Sequence, residues 1–333
     1  MRGAGHAAGH GDLPGDRHAR AVLGVLRRAP HLRRTLQDRG VHPLRRRHPA
    51  ASRSDRRPPS GDTGGTDMTE IVFRSLGDLE LCVEFGDRID LALNFRVLAL
   101  DRALKDAKVP GMRETVPTHR SLGVVYDPVL IRRRDLERVL TDLVTDLVEL
   151  TEFPSRLVTI PVWYDDPWSR ECARAHGVGN NIDYLAEVNG VPREEVVARH
   201  AGVLHWVSAV GFQPSTYQAV PLGEMGLTGP KYERPRKWTD PGIVCLAGTI
   251  TSYYPVRSPG GYQLLGRTPI DLFDPSRRNA AFADGPVLPR VGDRHRYVPI
   301  SGEEYEEIRA AVVSGRYEYQ IEAGVHRLAA ADA

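Results

Sequence analysis

The chain has 333 residues, and its 45 Lys and Arg against 43 Asp and Glu give a formal net charge of +2 at pH 7. This length predicts about two domains. No run of about 18 apolar residues occurs, so neither a membrane-spanning helix nor a membrane partner is expected. The three cysteines lie far apart in the sequence, which excludes a disulfide framework or a cysteine zinc site and indicates a reduced, cytoplasmic protein.

Residues 1–67 differ sharply in composition from the rest of the chain. They hold 14 Arg and six Asp but no Lys or Glu, which gives a net charge of +8, and they contain no aromatic residue. Such a segment cannot bury enough apolar surface to offset its ordering entropy, and we predict that it is disordered. A nucleic-acid-binding arm, a transit peptide and a start of translation at Met68 stay open, and the change of composition at Met68 favours the last.

Hydrophobic periodicity predicts a small α+β domain over residues 68–157. Two alternating segments within residues 70–85 indicate a β-hairpin, and apolar residues at helical spacing from Leu93 to Leu104 predict a helix over residues 89–108. The other elements predicted here are a strand region at 114–126, a helix at 132–150 and a strand at 157–162. This order is typical of helices packed on one face of a sheet.

The pattern changes after residue 158, and residues 158–325 are predicted to form a second domain. A helical stretch at 181–201 is interrupted at Pro192, and short strands separated by Gly and Pro follow it, which is typical of a β-barrel or sandwich. These strands are predicted at 203–210, 243–250, 252–256 and 262–265. Residues 303–313 predict a short helix, and the tail after about residue 324 is expected to be frayed.

The most distinctive motif is at residues 258–268, which read Ser-Pro-Gly-Gly-Tyr-Gln-Leu-Leu-Gly-Arg-Thr. The Pro-Gly-Gly turn allows the backbone to approach a ligand closely. The Gln263 amide offers hydrogen bonds, and the Arg267 guanidinium matches a carboxylate. In a strand that begins at Tyr262, the side chains of Tyr262 and Gln263 would lie on opposite faces. The alternative is a hairpin turn followed by a surface arginine.

Two other segments carry charged candidates. Asp165 and Asp166 lie among aromatic residues, where adjacent carboxylates can bind a cation or an amide, or act as a base. Asp166 also suits a helix cap because Pro167 follows it, so Asp165 is the freer of the two. Arg120 can bind an anion or simply pair with Glu114.

The sequence shows no self-contained catalytic centre. His200 and His205 have no third ligand nearby, so no metal site is expected, and His119 is more typical of a satisfied histidine than of a catalyst. No Gly-x-Ser-x-Gly motif occurs, and no cysteine lies in a nucleophile setting. These observations indicate either an active site shared with a partner or a binding protein.

Three stretches carry a resemblance to a known family: residues 117–128, residues 248–254 and the motif at 258–268. Over about residues 70–315 the chain resembles the smaller half of the paired carboxyltransferase-like proteins. This family includes KipI, the B subunit of 5-oxoprolinase, allophanate hydrolase subunit 1 and the matching part, subdomains C and D, of the urea carboxylase carboxyltransferase domain. The resemblance implies a ferredoxin-like α+β domain, a cyclophilin-like β-barrel and a larger KipA-type partner with the active site between the two.

The chain departs from the KipI pattern at residues 211–219, where Ser215 and Thr216 replace Gly-Phe, and at His119, where a tyrosine is typical. Residues 164–172, segments within residues 231–239 and an insert at about 274–292 resemble the urea carboxylase version instead.

The leading hypothesis is therefore a subunit of a biotin-dependent carboxyltransferase of the urea carboxylase type. Biotin on a separate carrier protein would deliver a carboxyl group to a urea or amide nitrogen, and a partner such as biotin carboxylase would use ATP. The expected catalytic residues are Arg267, Gln263 and Asp165. The expected substrate-binding residues are Arg120, Tyr262, Ser258, Gly260 and Gly261.

Two alternatives stay open. One is an ATP-dependent ring-opening hydrolase like 5-oxoprolinase, which requires a LamB-type subunit. The other is a KipI-like inhibitor of a histidine kinase. Nucleic acid is not expected as a partner in the leading hypothesis.

Overall fold

The computed structural model describes residues 71–147 and 150–328. Within them, no helix is both long enough and apolar enough to cross a membrane. The disorder predicted for residues 1–67 and the start of translation at Met68 lie outside the described residues. The described chain divides into two units. The first comprises residues 71–86, 98–115 and 122–147, and the second comprises residues 87–97, 116–121 and 150–328.

The first unit contains a four-stranded sheet with the order β1-β2-β4-β3. Its strands are β1 (Val72–Leu76), β2 (Glu80–Glu84), β3 (Met112–Pro117) and β4 (Ser121–Tyr126). The helices of this part of the chain are α1 (Leu91–Ala107) and α2 (Arg133–Thr145). Both helices and the hairpin β1–β2 lie where hydrophobic periodicity predicts them. α2 buries Leu136, Leu140 and Leu143 on one face, as the spacing of its leucines predicts.

The second unit is built around a closed barrel of seven strands. In chain order these are β5 (Glu152–Tyr164), β6 (Leu204–Val210), β7 (Tyr217–Leu222), β9 (Ile243–Ala247), β10 (Ile250–Tyr254), β12 (Gln263–Arg267) and β13 (Arg294–Pro299). They follow the order β12-β9-β10-β7-β6-β13-β5, and β5 pairs back to β12. The α+β class, with a small N-terminal sheet and a C-terminal barrel, is thus confirmed.

Shorter elements surround the barrel. They are α3 (Pro167–Ala175), α4 (Asn181–Asn189), α5 (Arg193–Ala201), α6 (Gly302–Val313), a two-stranded ladder of β8 (Arg236–Thr239) with β11 (Ser258–Gly260), and β14 (Ile321–Arg327). The expectation of a frayed tail is wrong up to Arg327, because β14 pairs with β5 along its full length. The boundary between residues 157 and 158 stays a prediction, and β5 continues through it.

Barrel closure requires a glycine in β12. Gly266 pairs with Tyr164, and a methyl group on Gly266 would overlap the carbonyl oxygen of Trp163. The two backbones can approach this closely only because residue 266 has no side chain. The register of β12 against β9 also shifts between Leu264 and Gly266, which is a β-bulge.

Apolar and polar side chains share the core of this unit. Val158, Ile160 and Val162 alternate along β5 and are buried, as the two-residue period of a strand requires. Burial also extends to several polar side chains, among them His200, His205, Thr251 and His295. Each buried polar group needs a hydrogen-bond partner, because an unpaired one costs about 1–3 kcal/mol.

One direction of proton donation satisfies most of these groups. The Nε2–H of His205 donates to the carbonyl oxygen of His200 at 3.0 Å, which can only accept. The Nδ1 atom of His205 therefore accepts from the Thr251 hydroxyl at 3.3 Å, and that hydroxyl accepts from the Nε2–H of His200 at 2.9 Å. The Nδ1 atom of His200 accepts from the Tyr164 hydroxyl at 2.7 Å. This direction of donation uses neutral rings, and burial lowers the pKa of both histidines and so keeps them neutral.

Acid is therefore expected to destabilise the barrel. Burial lowers the pKa of His205 to about 4, whereas the unfolded chain binds the same proton at about pH 6.5. Stability is therefore present above pH 6.5 and is lost as the pH falls toward 4, because the unfolded state takes up protons first. Proton uptake at His205 alone should lower the free energy of unfolding by about 2 kcal/mol between pH 7 and pH 5. Urea denaturation at the two pH values measures this change.

The matched variant for this prediction is His205→Gln, which retains an amide donor for the carbonyl oxygen of His200 but does not titrate. We expect its free energy of unfolding to depend less steeply on pH than that of the unchanged chain. Equal slopes for the two proteins would contradict the assignment of this pH dependence to His205.

Candidate functional site

A cavity of about 610 Å³ lies in the second unit. Its lining residues come from segments 116–118, 209–218, 231–235, 245–254 and 259–262. Lys231 is the single charged residue in this lining, within the part of the chain that the structure describes. Because no carboxylate accompanies it, the cavity attracts neutral polar or anionic ligands rather than cations.

The distinctive Pro-Gly-Gly-Tyr motif forms one wall of this cavity. Gly260, Gly261 and Tyr262 all line it. A methyl group on Gly260 would overlap the Tyr254 hydroxyl, whereas a methyl group on Gly261 would have its nearest neighbour at 3.8 Å. The Lys231 ammonium lies 5.1 Å from the centre of the Tyr262 ring, which is within cation–π range. The described residues include no ion-pair partner for Lys231.

Tyr232 and Arg236 support the adjoining wall. Arg236 is buried, its guanidinium lies 4.5 Å from the centre of the Tyr232 ring, and it donates to the carbonyl oxygen of Tyr262 at 2.8 Å. The Tyr232 hydroxyl donates to the side-chain oxygen of Asn181, which also accepts from the backbone N–H of Leu264 at 2.9 Å. The arginine thus joins the segment that carries Lys231 to the motif strand.

The third wall contains Thr118 and Gln218, which lie against a hydrogen-bonded histidine. His119 Nε2 is 2.5 Å from Gln218 Oε1, and His119 Nδ1 is 2.6 Å from Ser208 Oγ. The buried Asn94 amide donates to the carbonyl oxygens of Thr118 at 2.7 Å and Ser208 at 3.2 Å. This amide fixes the turn that carries His119 against β6.

The rim of the cavity is a tight loop between β6 and β7. Phe212 and Ser215 both have positive φ, and Phe212 is 89% exposed. Gln213 lines the cavity and accepts from the Ser258 hydroxyl at 3.3 Å. Ser258, a predicted binding residue, therefore touches the lining through Gln213 and is not part of it. Burial raises the pKa of the Cys245 thiol in the lining, so that thiol stays protonated.

Gln263 and Arg267 lie outside the cavity lining, and the bulge in β12 separates their side chains. Gln263 pairs with Leu246 of β9, and Arg267 pairs with Ile243 of the same strand. Leu246 and Ile243 pack in different apolar clusters, so the two positions of β12 face different surroundings. Gln263 is buried, its amide donates to the carbonyl oxygen of Pro230 at 2.7 Å, and its Oε1 atom has no partner among the described residues.

Arg267 belongs to an aromatic cluster instead. Its guanidinium lies 4.7 Å from the centre of the Trp168 ring, and Trp163 and Tyr305 pack against the same indole. Asp166 caps α3 by accepting from the backbone N–H of Ser169 at 3.0 Å, as Pro167 predicts. Burial raises the pKa of Asp166, and the positive charge of Arg267 acts against that rise.

Asp165 is engaged in an ion-pair network. It accepts from Arg170 at 2.6 Å, from the Asn180 amide at 2.7 Å and from Arg193. Its φ of 52° lies in the left-handed region. The structure does not bring Asp165 to the cavity.

Arg120 is half-buried in the turn between β3 and β4, beside His119 but outside the lining. The structure therefore gathers Gly260, Gly261 and Tyr262 at the cavity and leaves the other predicted site residues apart from its lining. Gln218 is not among the predicted site residues, because no pattern in the sequence predicts β7. In the sequence, Lys231 stands out only as part of a segment that resembles the urea carboxylase version.

Comparisons with known proteins agree on one family. Residues 71–283 match the model described as the carboxyltransferase domain, subdomain C and D. The chain is 31% identical to the B subunit of 5-oxoprolinase from Bacillus subtilis over 249 residues, which covers 70% of this chain and 94% of that protein. It is 29% identical to urea amidolyase of Saccharomyces cerevisiae over 271 residues, which covers 77% of this chain but only 15% of that protein.

A solved structure gives the same result for the fold. The crystal structure of the K. lactis urea amidolyase matches with a TM-score of 0.72 and 25% sequence identity. The match covers 79% of this chain and 17% of that one. The family model covers more than half of the chain, and the resemblance seen in the sequence is confirmed. The chain belongs to the family of carboxyltransferase domains, subdomains C and D.

Proposed function

We propose that the chain is a cytoplasmic subunit of a heteromeric biotin-dependent carboxyltransferase of the urea carboxylase type. The main support for this proposal is that two segments of the chain which resemble the family line the same cavity. The Gly260–Gly261–Tyr262 motif forms one wall, and the segment with Lys231 and Tyr232, which resembles the urea carboxylase version, forms the next.

The lining suits a small ligand that carries a carboxyl group. Lys231 supplies a positive charge without a carboxylate beside it, and Thr118, Gln213 and Gln218 supply neutral polar groups. A carboxylate in this cavity would gain a charge-assisted contact, and a planar amide or ureido group would lie against the Tyr262 face of the cavity. Biotin, bound to its carrier, would supply an activated carboxyl group, and the residues of this chain would bind and orient the reactants.

The other predicted residues retain proposed roles in this scheme. Arg267, on the face of its aromatic cluster, and Asp165, in its ion-pair network, would act at surfaces where the KipA-type subunit completes the site. Gln263 would hold the Pro230 segment, and with it the neighbouring Lys231, in place. Arg120 would neutralise an anion near the turn that carries His119.

The B subunit of an ATP-dependent, 5-oxoprolinase-like hydrolase is a second candidate. The chain covers 94% of the B. subtilis 5-oxoprolinase relative but only 15% of the yeast urea amidolyase, so it matches a stand-alone protein in extent. The two candidates differ in partners. The first requires a biotinylated carrier, and the second requires a LamB-type subunit and no biotin.

Co-purification from the native organism distinguishes these candidates. We expect the chain to bring down a KipA-type subunit together with a biotinylated protein that streptavidin detects, and we expect the assembly to release ADP when urea is added. Recovery of the KipA-type subunit without biotinylated protein, and ADP release with 5-oxoproline instead, would establish the second candidate and refute the first.

Lys231 offers a direct test of charge in the cavity. Lys231→Met in the assembled enzyme should lower kcat by about 100-fold, because the transferred carboxyl group loses its positive partner. Lys231→Arg retains the charge and should stay within about tenfold of the unchanged enzyme. Steady-state kinetics measure both variants, and equal activity of Lys231→Met and the unchanged enzyme would remove Lys231 from the site.

The two glycines of the motif provide a matched pair for the cavity wall. Gly260→Ala places a methyl group against the Tyr254 hydroxyl and should lower the free energy of unfolding by about 1–3 kcal/mol. Gly261→Ala has room for its methyl group and should change stability by about 0.5 kcal/mol at most. Chemical denaturation of the two variants provides the comparison, and similar losses in both would refute the close contact at Gly260.

A further inference from the structure

Gln218 and His119 form a pair in which the proposed function gives His119 no role and does not say which end of the Gln218 amide meets the ligand. Gln218 lines the cavity, whereas His119 lies behind it and contacts both Gln218 and Ser208. His119 is also a position where the chain departs from the KipI pattern. The Gln218 amide can direct either its oxygen or its NH₂ group into the cavity, and the two orientations select different ligands.

In the structure the amide oxygen of Gln218 is the atom that faces His119. Gln218 Oε1 lies 2.5 Å from His119 Nε2, and an amide oxygen can only accept, so Nε2 carries the proton. Burial lowers the pKa of His119 and keeps the ring neutral, so Nδ1 has no proton and must accept. The Ser208 hydroxyl has two acceptors in reach, His119 Nδ1 at 2.6 Å and the Gln218 carbonyl oxygen at 3.0 Å, and the nearer one is Nδ1.

The Gln218 NH₂ group is what remains for a ligand. Among the described residues no acceptor binds it, and Gln218 is part of the cavity lining. Lys231 also lines the cavity, and no acceptor of the described chain engages its ammonium group. Because both of these donors lack acceptors and the lining contains no carboxylate, they favour a ligand that offers acceptors to both.

We propose that His119 is a positioning residue, which holds the Gln218 amide with its NH₂ group in the cavity so that Gln218 and Lys231 together bind a small amide bearing a carboxylate. This inference rests on the proposed function for the identity of the site. It goes further in assigning the ligand oxygens to two named donors and in giving His119 a role without ligand contact. The fixed turn supports it, because the Asn94 amide holds both Thr118 and Ser208.

Malonamate is a suitable probe, because it is a stable methylene analogue of a carboxylated urea and carries one carboxylate and one amide. We expect the full chain alone to bind malonamate in isothermal titration, and Lys231→Met to abolish that binding. Propionamide, which lacks the carboxylate, should bind at least about tenfold more weakly. No binding of malonamate by the unchanged chain would overturn the inference.

A double-mutant cycle isolates the positioning role. Gln218→Met and His119→Phe should each weaken malonamate binding about tenfold, and the double variant should bind no more weakly than Gln218→Met alone. His119→Gln, which retains a donor near the Nε2 position, should restore binding. Additive losses in the double variant would show that His119 acts independently of Gln218 and would refute the pair.

Nuclear magnetic resonance tests the same point in the unchanged chain, without a substitution at His119. The side-chain NH₂ signals of Gln218, assigned by their loss in Gln218→Met, should shift when malonamate is added to the unchanged chain. Binding without any shift of those signals would overturn the inference. These experiments use the chain alone, so their outcome is independent of the co-purification. If the chain binds malonamate as expected but no biotinylated partner is recovered, the proposed reaction is refuted and the roles of Gln218 and Lys231 as donors are not.

Discussion

The close approach of β12 to β5 at Gly266 is the constraint on which the second unit depends. A barrel removes its sheet edges only if its first and last strands pair, and here the pairing requires a residue without a side chain opposite Tyr164. The same short strand begins directly after the Pro-Gly-Gly-Tyr motif, so the register that closes the barrel also fixes where Tyr262 meets the cavity. The bulge beside Gly266 then separates Gln263 from Arg267. Closure and site geometry therefore follow from the same few residues.

The second unit contains a polar network in its core and polar groups in its cavity, and they differ in whether their donors have acceptors. In the core, the chain from Tyr164 through His200 and Thr251 to His205 pairs its donors with acceptors, and nothing there is left for a ligand. In the cavity, Lys231 and the Gln218 amide are donors without acceptors in the described chain. A satisfied network stabilises a fold, whereas exposed, unsatisfied donors of one kind favour a complementary ligand. This contrast, more than the number of polar groups, distinguishes the structural histidines from the candidate site.

Sequence periodicity predicted the elements whose burial is one-sided and regular, such as α2 with its leucine face and the hairpin β1–β2. It missed β7 and β14, because β7 mixes Gln and Pro with apolar residues and β14 is largely exposed, so neither shows clean alternation. The resemblance identified the motif that lines the cavity. It could not place Arg267, because a bulge reverses the expected alternation, nor Asp165, because the arginines that engage it come from α3 and α5. Contacts between residues far apart in the sequence, such as that of Asp165 with Arg193, leave no local pattern from which they could be predicted.

The composition of the cavity also bears on the chemistry that the chain can perform alone. Transfer of a carboxyl group to a urea or amide nitrogen requires that the nitrogen lose a proton. In the part of the chain that the structure describes, the lining offers Lys231, amides, hydroxyls and a thiol whose pKa is raised by burial, and it offers no carboxylate or free imidazole. His119 has both nitrogens engaged, with Gln218 and Ser208. Under the proposed reaction, this chain binds and orients the carboxyl group, and the base that accepts the proton must come from the partner protein or from the reactants themselves. A donor-rich half-site of this kind is what a shared active site predicts for one of its two halves.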